Sequence, residues 1–318
     1  MVKKFQFGTF ESATSVYNVI VASMQTFTEI TLHTTRRIIM ERKKSYSLII
    51  ISALLLVAGI IFSFYQYHNT YILSLDVADK TEKLALQKPY AYGLTLVFFS
   101  ILLMAKGMYN ALRGTLTLSA RDKLQRLAQA GLLAALCYIG FTFFKFDIPV
   151  GPEKTAFHLG NVFCVLAALL LGGYWGGLAG AVGMTLADLT TSYVTSAPKT
   201  FLLKLCIGLI VGFVAHTIFK LSKSHKPKYV LGVTVLASAC GMLFNIVADP
   251  LVGYFYKTYL LGVPQDISAA LAKVATLTTS VNALVAVIAA TIFYVALRPA
   301  LKKSGLLVEV TPDMDIKK

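Results

Sequence analysis

Eight side chains able to hydrogen-bond or carry charge lie in or beside strongly apolar surroundings: His158, Asn161, Asp188, Tyr193, Lys199, Lys204, Asn245 and Asp249. An ionisable group held away from water is costly, so it is paired or it meets a ligand. Asp188 and Lys204 have opposite charge, and two readings are open for them. They form a mutual ion pair that offsets their burial, or each contacts a polar ligand. His158 and Asn161 are one helical turn apart, which suits hydrogen bonding at a helix end as well as ligand contact. A site for a small polar ligand needs a mostly apolar hollow with a few convergent donors and acceptors. These residues supply such groups, and Tyr193, Tyr254 and Tyr256 offer ring faces. Lys145, Glu153 and Lys154 read as solvated loop charges, while Pro149, Gly151 and Pro152 stiffen the same loop.

Other chemistries lack equipment in the sequence. It contains no Walker A loop, GxSxG elbow or HExxH pair, so neither ATP hydrolysis nor the familiar hydrolytic reactions are expected. The expectation is a protein that is not an enzyme and that needs no cofactor. Cys137, Cys164, Cys206 and Cys240 each sit in an apolar run, without CxxC spacing or a histidine cluster. Small buried hydrophobes is their expected role, and no metal site follows.

The elements that must position the eight residues are membrane helices. Of the 318 residues 56% are hydrophobic and 14% charged, against about 25% charged in soluble domains. Apolar runs of roughly 20 residues, the length a bilayer demands of a helix, recur at about 46–65, 92–112, 124–146, 157–171, 174–191, 199–221, 229–254 and 267–297. The net charge of +15 falls in short segments between the runs, as the positive-inside rule requires, rather than in a nucleic-acid-binding patch. Lys220, Lys223, Lys226 and Lys228, with Arg298, Lys302 and Lys303, are expected in the cytoplasm. The loop 66–91 and the segments around Lys145, Lys199 and Lys257 are expected outside. Eight spans with both termini cytoplasmic satisfy every loop.

The division that follows is a polar lead-in over 1–45, a two-span extension over 46–120, a six-helix part over 121–303 and a tail over 304–318. The lead-in carries Val16, Ile20, Met24, Phe27 and Ile30 at helical spacing, which fits a helix on the membrane surface or a loosely ordered segment. Gly172, Gly176 and Gly180, then Ala179, Gly183 and Ala187, then Gly208 and Gly212 recur at four-residue intervals. Small residues let membrane helices approach closely, and packing within the chain is the expected use.

The stretch IPVGPEKTAFHLGNVFCVLAALLLGGYWGGLAGAVGMTLADL and its continuation TTSYVTSAPKTFLLKLCIGLIVGFVAH resemble the S components of energy-coupling-factor (ECF) transporters. The order carries the resemblance: a Pro/Gly loop, His-Leu-Gly-Asn opening a helix, a Gly-rich turn, Ala-Asp, an aromatic loop, then a lysine-bearing helix. It covers about residues 124–303. It implies an all-α integral membrane protein with a six-helix S-component bundle, here preceded by two extra transmembrane helices. It also implies capture of a vitamin or precursor outside, with a transmembrane T component and two ATPase subunits supplying the work. The family's first core helix docks the T component through an AxxxA motif, matched here by Ala130 and Ala134. The ligand expected on this resemblance is a vitamin-like heterocycle such as a pyrimidine thiamin precursor or a pyridoxine-type ring, with folate, pantothenate and a queuosine precursor left open. The alternative is a stand-alone secondary transporter or permease for a small polar solute.

Overall fold

Helices form where the apolar runs lie, because in hydrocarbon every backbone donor and acceptor must be satisfied within its own segment. The computed structural model describes residues 44–77, 80–113, 120–150, 153–223 and 226–307, together with residues 29, 40 and 310. The amphipathic stripe of the lead-in and most of the tail fall outside them. Among the described residues, seven helices are long and apolar enough to cross a membrane. They are α1 (Lys44–Ser74), α2 (Lys80–Arg113), α3 (Ala120–Thr142), α4 (Gly160–Thr190), α5 (Ala197–Gly212), α6 (Pro227–Phe255) and α7 (Gln265–Lys303). The chain is an all-α integral membrane protein. It forms two compact units, one of residues 1–55 with 100–115 and one of 56–99 with 116–318. In the first, α1 and α2 approach so closely at Gly107 that a Cβ there would press on the Ile49 side chain.

Helix α4 is folded back on itself at Gly172, whose φ of 81° and ψ of 174° lie outside the helical region. A side chain is strained at such a φ, so glycine occupies the bend. The two legs run antiparallel: Gly160 lies beside Met184, Gly180 beside Cys164, and Gly176 against the backbone of Ala167 and Ala168. Two expected runs, 157–171 and 174–191, are thus the legs of one hairpin. The other small residues also serve packing within the chain. Gly173 and Gly177 meet Gly212 and Gly208 of α5, and Gly183 fits against the Ala134 carbonyl of α3.

Three expectations about boundaries are corrected. The segment 66–91, expected as an outer loop, is largely helical, because Lys80–Leu86 is rich in residues with high helix propensity and α1 continues through a wide turn at Tyr67–Tyr71. The span expected to reach Phe146 ends at Thr142. The run expected to begin at Phe157 begins as a helix only at Gly160. Between these ends the chain forms a two-stranded antiparallel hairpin, β1 (Lys145–Val150) with β2 (Glu153–His158), in register from Lys145–His158 to Val150–Glu153.

Packing is apolar at the centre and outside, with polar groups concentrated at one end. Val165, Ile207, Val211, Ala286 and Ala290 are fully buried. Leu243, Val247 and Leu251 on α6, and Leu277, Leu284, Ile288 and Ile292 on α7, are exposed at helical spacing. Such stripes suit lipid contact. The opposite end is tied together through the basic segments: the Arg298 guanidinium donates to the carbonyls of Leu221 (3.0 Å) and Ser222 (3.4 Å).

Candidate functional site

The β1–β2 hairpin is held on the bundle by a mid-helix asparagine. Asn282 of α7 accepts from the His158 amide (2.9 Å) and donates to the Ala156 carbonyl (3.0 Å), so its amide closes the edge of β2 as a neighbouring strand would. Thr155 and Thr278 add a hydroxyl–hydroxyl bond of 3.1 Å. A second fastening joins the hairpin to the connection after α4. Asp147 accepts from the Tyr193 hydroxyl (2.9 Å) and from the Lys154 amine (2.8 Å), with the Lys145 amine 3.8 Å away. Both lysine amines also lie over the Tyr193 ring, at 4.9 Å for Lys145 and 5.1 Å for Lys154. Lys145 and Lys154 are therefore latch residues rather than the solvated charges expected.

Burial alone would raise the Asp147 carboxyl. The hydrogen bonds from Lys154 and Tyr193 and the two lysine charges outweigh it and hold the carboxyl below its ordinary value. Burial, and then the carboxylate it donates to, pushes the Tyr193 phenol up, so that phenol remains a donor.

Beneath the hairpin lies a cavity to which β2 and every helix from α3 to α7 contribute. All eight residues singled out in the sequence line it: His158, Asn161, Asp188, Tyr193, Lys199, Lys204, Asn245 and Asp249. Tyr254 lines it as well, whereas Tyr256, expected to offer a ring face, turns its hydroxyl to the Thr195 carbonyl at 2.9 Å. Phe141, Met184, Ser196, Thr200, Ser268, Thr278 and Thr279 also line the cavity and had not been singled out. Hydroxyl residues give little signal, because in a membrane helix they bond their own backbone, as Thr278 does to the Ala275 carbonyl.

On the cavity wall Lys199 pairs with Asp249, at 2.8 Å, and the Thr279 hydroxyl donates to the second Asp249 oxygen at 3.2 Å. No ion pair joins Asp188 to Lys204, although both side chains are buried. Asp188 takes a bond from Thr200, and its Oδ2 has no partner. Asn161 Oδ1, Asn245 Oδ1 and His158 Nδ1 are likewise buried without a hydrogen-bond partner. Among the described residues, every amide or carboxylate oxygen left in that condition lies on this one cavity. A buried polar group without a partner costs about 1–3 kcal/mol, so the cavity is suited to a ligand that brings donors. His158 lies in the strand just before α4. Burial first, then the Lys204 charge, lowers its pKa to about 3, so the ring is neutral at physiological pH.

In α3, Ala130 is buried in the core and Ala134 is partly buried, its carbonyl against Gly183. The face of α3 turned away from the chain carries Leu124, Ala128, Gly131, Leu132 and Ala135. Open space surrounds Gly131. Among the described residues no group of three or more His, Cys, Asp or Glu is arranged to hold a metal ion.

A bundle of membrane helices encloses a polar chamber at one end, with a hairpin latched over it, an arrangement suited to holding a small polar solute. The family model described as ECF-type riboflavin transporter, S component, matches residues 121–299, more than half of the chain, and the chain belongs to that family. No curated protein and no solved structure matches the chain. The matched segment runs from the second residue of α3 nearly to the end of α7, so α1 and α2 lie outside it.

Proposed function

We propose that this protein captures a vitamin-like heterocycle in the cavity beneath the β1–β2 hairpin and delivers it to an ECF transporter complex. The observation that carries the reading is the convergence of three orphaned oxygens, on Asn161, Asp188 and Asn245, with the buried Lys204 amine on one chamber. A ligand with several N–H or O–H donors and one electron-rich acceptor satisfies that set. A flavin has this character, and the family's description makes riboflavin the first ligand to test.

The chain carries no ATPase motif, so a T component and two ATPase subunits supply the work. Docking runs through α3. Ala130 and Ala134 set the close approach of α3 to α4, and the exposed Ala128, Gly131 and Ala135 receive the partner helix. The hairpin end faces outside, where a scavenging protein meets its ligand, and the end bearing Lys226 and Arg298 faces the cytoplasm.

Mass spectrometry of protein purified from a rich medium, with titration of the emptied protein by riboflavin, tests the reading. Quenching of flavin fluorescence at stoichiometric protein, together with co-purification of the T and ATPase subunits, is the expected result. Uptake into vesicles holding this chain alone, without ATP, would establish a permease instead.

A further inference from the structure

Helices α1 and α2 precede the family-matched core, and residues 56–99 share its compact unit. Phe99 packs edge-on against Phe201 of α5, and three tyrosines gather at the end of α6. Tyr67, Tyr71 and Tyr90 form one aromatic cluster, with ring centroids 4.7 Å apart for Tyr71–Tyr90 and 5.5 Å for Tyr67–Tyr90. The Tyr71 hydroxyl donates to the Leu261 carbonyl, and the Tyr90 hydroxyl to the Leu260 carbonyl at 3.3 Å. These carbonyls lie at the end of the wide turn Tyr256–Leu260 that continues α6, where the last C=O groups of a helical segment have no partner within it. Here α6 ends in a wide turn, the Leu261 amide bonding the Tyr256 carbonyl five residues back at 3.2 Å. Gly253, Tyr254 and Lys257, at the same end of α6, line the cavity. Tyr256 continues the chain of contacts to the Thr195 carbonyl, beside Ser196 on the opposite wall. Tyrosines that merely anchor helices at a membrane interface keep their hydroxyls in the headgroup region. Tyr71 and Tyr90 are buried, and their hydroxyls are spent on another segment's backbone.

We propose that α1 and α2 brace the α6–α7 rim of the cavity, with Tyr71 and Tyr90 as positioning residues that slow release of the bound molecule. The inference rests on the reading of that cavity as the ligand site.

The test compares the full chain with a Tyr71→Phe/Tyr90→Phe variant, which keeps the rings and removes only the hydroxyls. Hydrogen–deuterium exchange over residues 253–263 is expected to rise roughly tenfold, the effect of losing two ordinary hydrogen bonds, while residues 160–190 keep their protection. Riboflavin dissociation, followed by recovery of flavin fluorescence, is expected to speed up by a similar factor. Unchanged exchange at 253–263 overturns the brace, and so does faster exchange with an unchanged dissociation rate. If the unaltered chain takes no riboflavin, the ligand assignment fails by itself. Exchange over Gly253–Lys257 then decides the brace, increased protection loss supporting it and unchanged protection overturning it.

Discussion

A buried lysine without an ion pair is expensive, and Lys204 is 6% exposed on the cavity wall. The charge nearest in sequence logic, Asp188, does not pair with it, and the pair that forms is Lys199–Asp249. That outcome was not legible in the sequence. Which charges pair depends on the rotation of α5 against α4 and α6, and spacing along one helix does not fix that rotation. Membership of the site was legible, because a polar residue inside an apolar run is visible without knowing the fold. If Lys204 is a ligand contact, Lys204→Met lowers riboflavin affinity by about 1–3 kcal/mol, the penalty of leaving a buried partner unpaired, and lowers thermal stability little. Unaltered affinity in the folded variant removes Lys204 from the site. For His158 the expectation concerns protons. With a pKa near 3 in the folded protein against 6.5 ordinarily, the folded chain declines a proton that the unfolded chain takes up. Its contribution to stability is complete above pH 6.5 and is lost as pH falls from there toward 3. The His158 ring signal in NMR of histidine-labelled protein should therefore show no titration between pH 5 and 8, and a midpoint near 6.5 would contradict the neutral ring.

The β1–β2 hairpin had no strand signal strong enough to read, since Pro149, Gly151 and Pro152 mark a turn and leave only short flanks. What makes those flanks strands is tertiary: Asn282 reaches from α7 to the backbone of β2. The Gly172 bend was legible as two runs joined by glycines, because few other residues connect antiparallel legs so tightly. The hairpin's own latch is testable through Asp147. Its carboxyl is about one-third exposed, so the lysine contacts are worth less than about 1 kcal/mol, enough to bias closure but not to hold the fold. Because that carboxyl is held below its ordinary value, the latch is complete above the ordinary carboxylate range and is lost as pH falls through the lowered value. Hydrogen exchange of residues 145–158 should rise in acid in the unaltered protein, whereas Asp147→Asn should raise it at neutral pH and flatten the acid response. Identical profiles for the two proteins would show that Asp147 does not fasten the hairpin. On α3 the two sets of small residues separate cleanly. Gly131→Trp, in open space, should abolish co-purification with the T component and leave riboflavin binding intact, while Ala130→Trp should destabilise the bundle. Retention of the complex by Gly131→Trp would move the docking face elsewhere.

At the level of the whole molecule, charge and polarity separate along the helix bundle formed by residues 56–99 and 116–318. The hairpin, the connection around Tyr193 and the turn at Tyr256–Leu260 gather at the cavity end, where Asp147, Asp188 and Asp249 are set among lysines. Arg298 meets the carbonyls of Leu221 and Ser222 at the far end. Two basic stretches separated by about 75 residues of sequence thus lie on one side, as alternate threading of the spans requires. The bend at Gly172 belongs to that far end too, since Val310 packs on it and Val310 also accepts from Ser222. Lys and Arg excess is retained on the cytoplasmic side during insertion, so orientation is expected to follow from which end holds more basic than acidic residues. Near Lys226 the basic residues Lys220, Lys223, Lys226 and Lys228 have no acidic residue among them in sequence. At the cavity end, lysines are interleaved with aspartates. Cysteines introduced at Asp76 and at Lys226, both exposed, read the orientation directly with a membrane-impermeant maleimide on intact cells. The native Cys137, Cys164, Cys206 and Cys240 lie within spans and are at most partly exposed, so background labelling should be low. Asp76→Cys should react in intact cells and Lys226→Cys only after permeabilisation. The reverse pattern would put the cavity on the cytoplasmic side, and capture from outside would then be untenable.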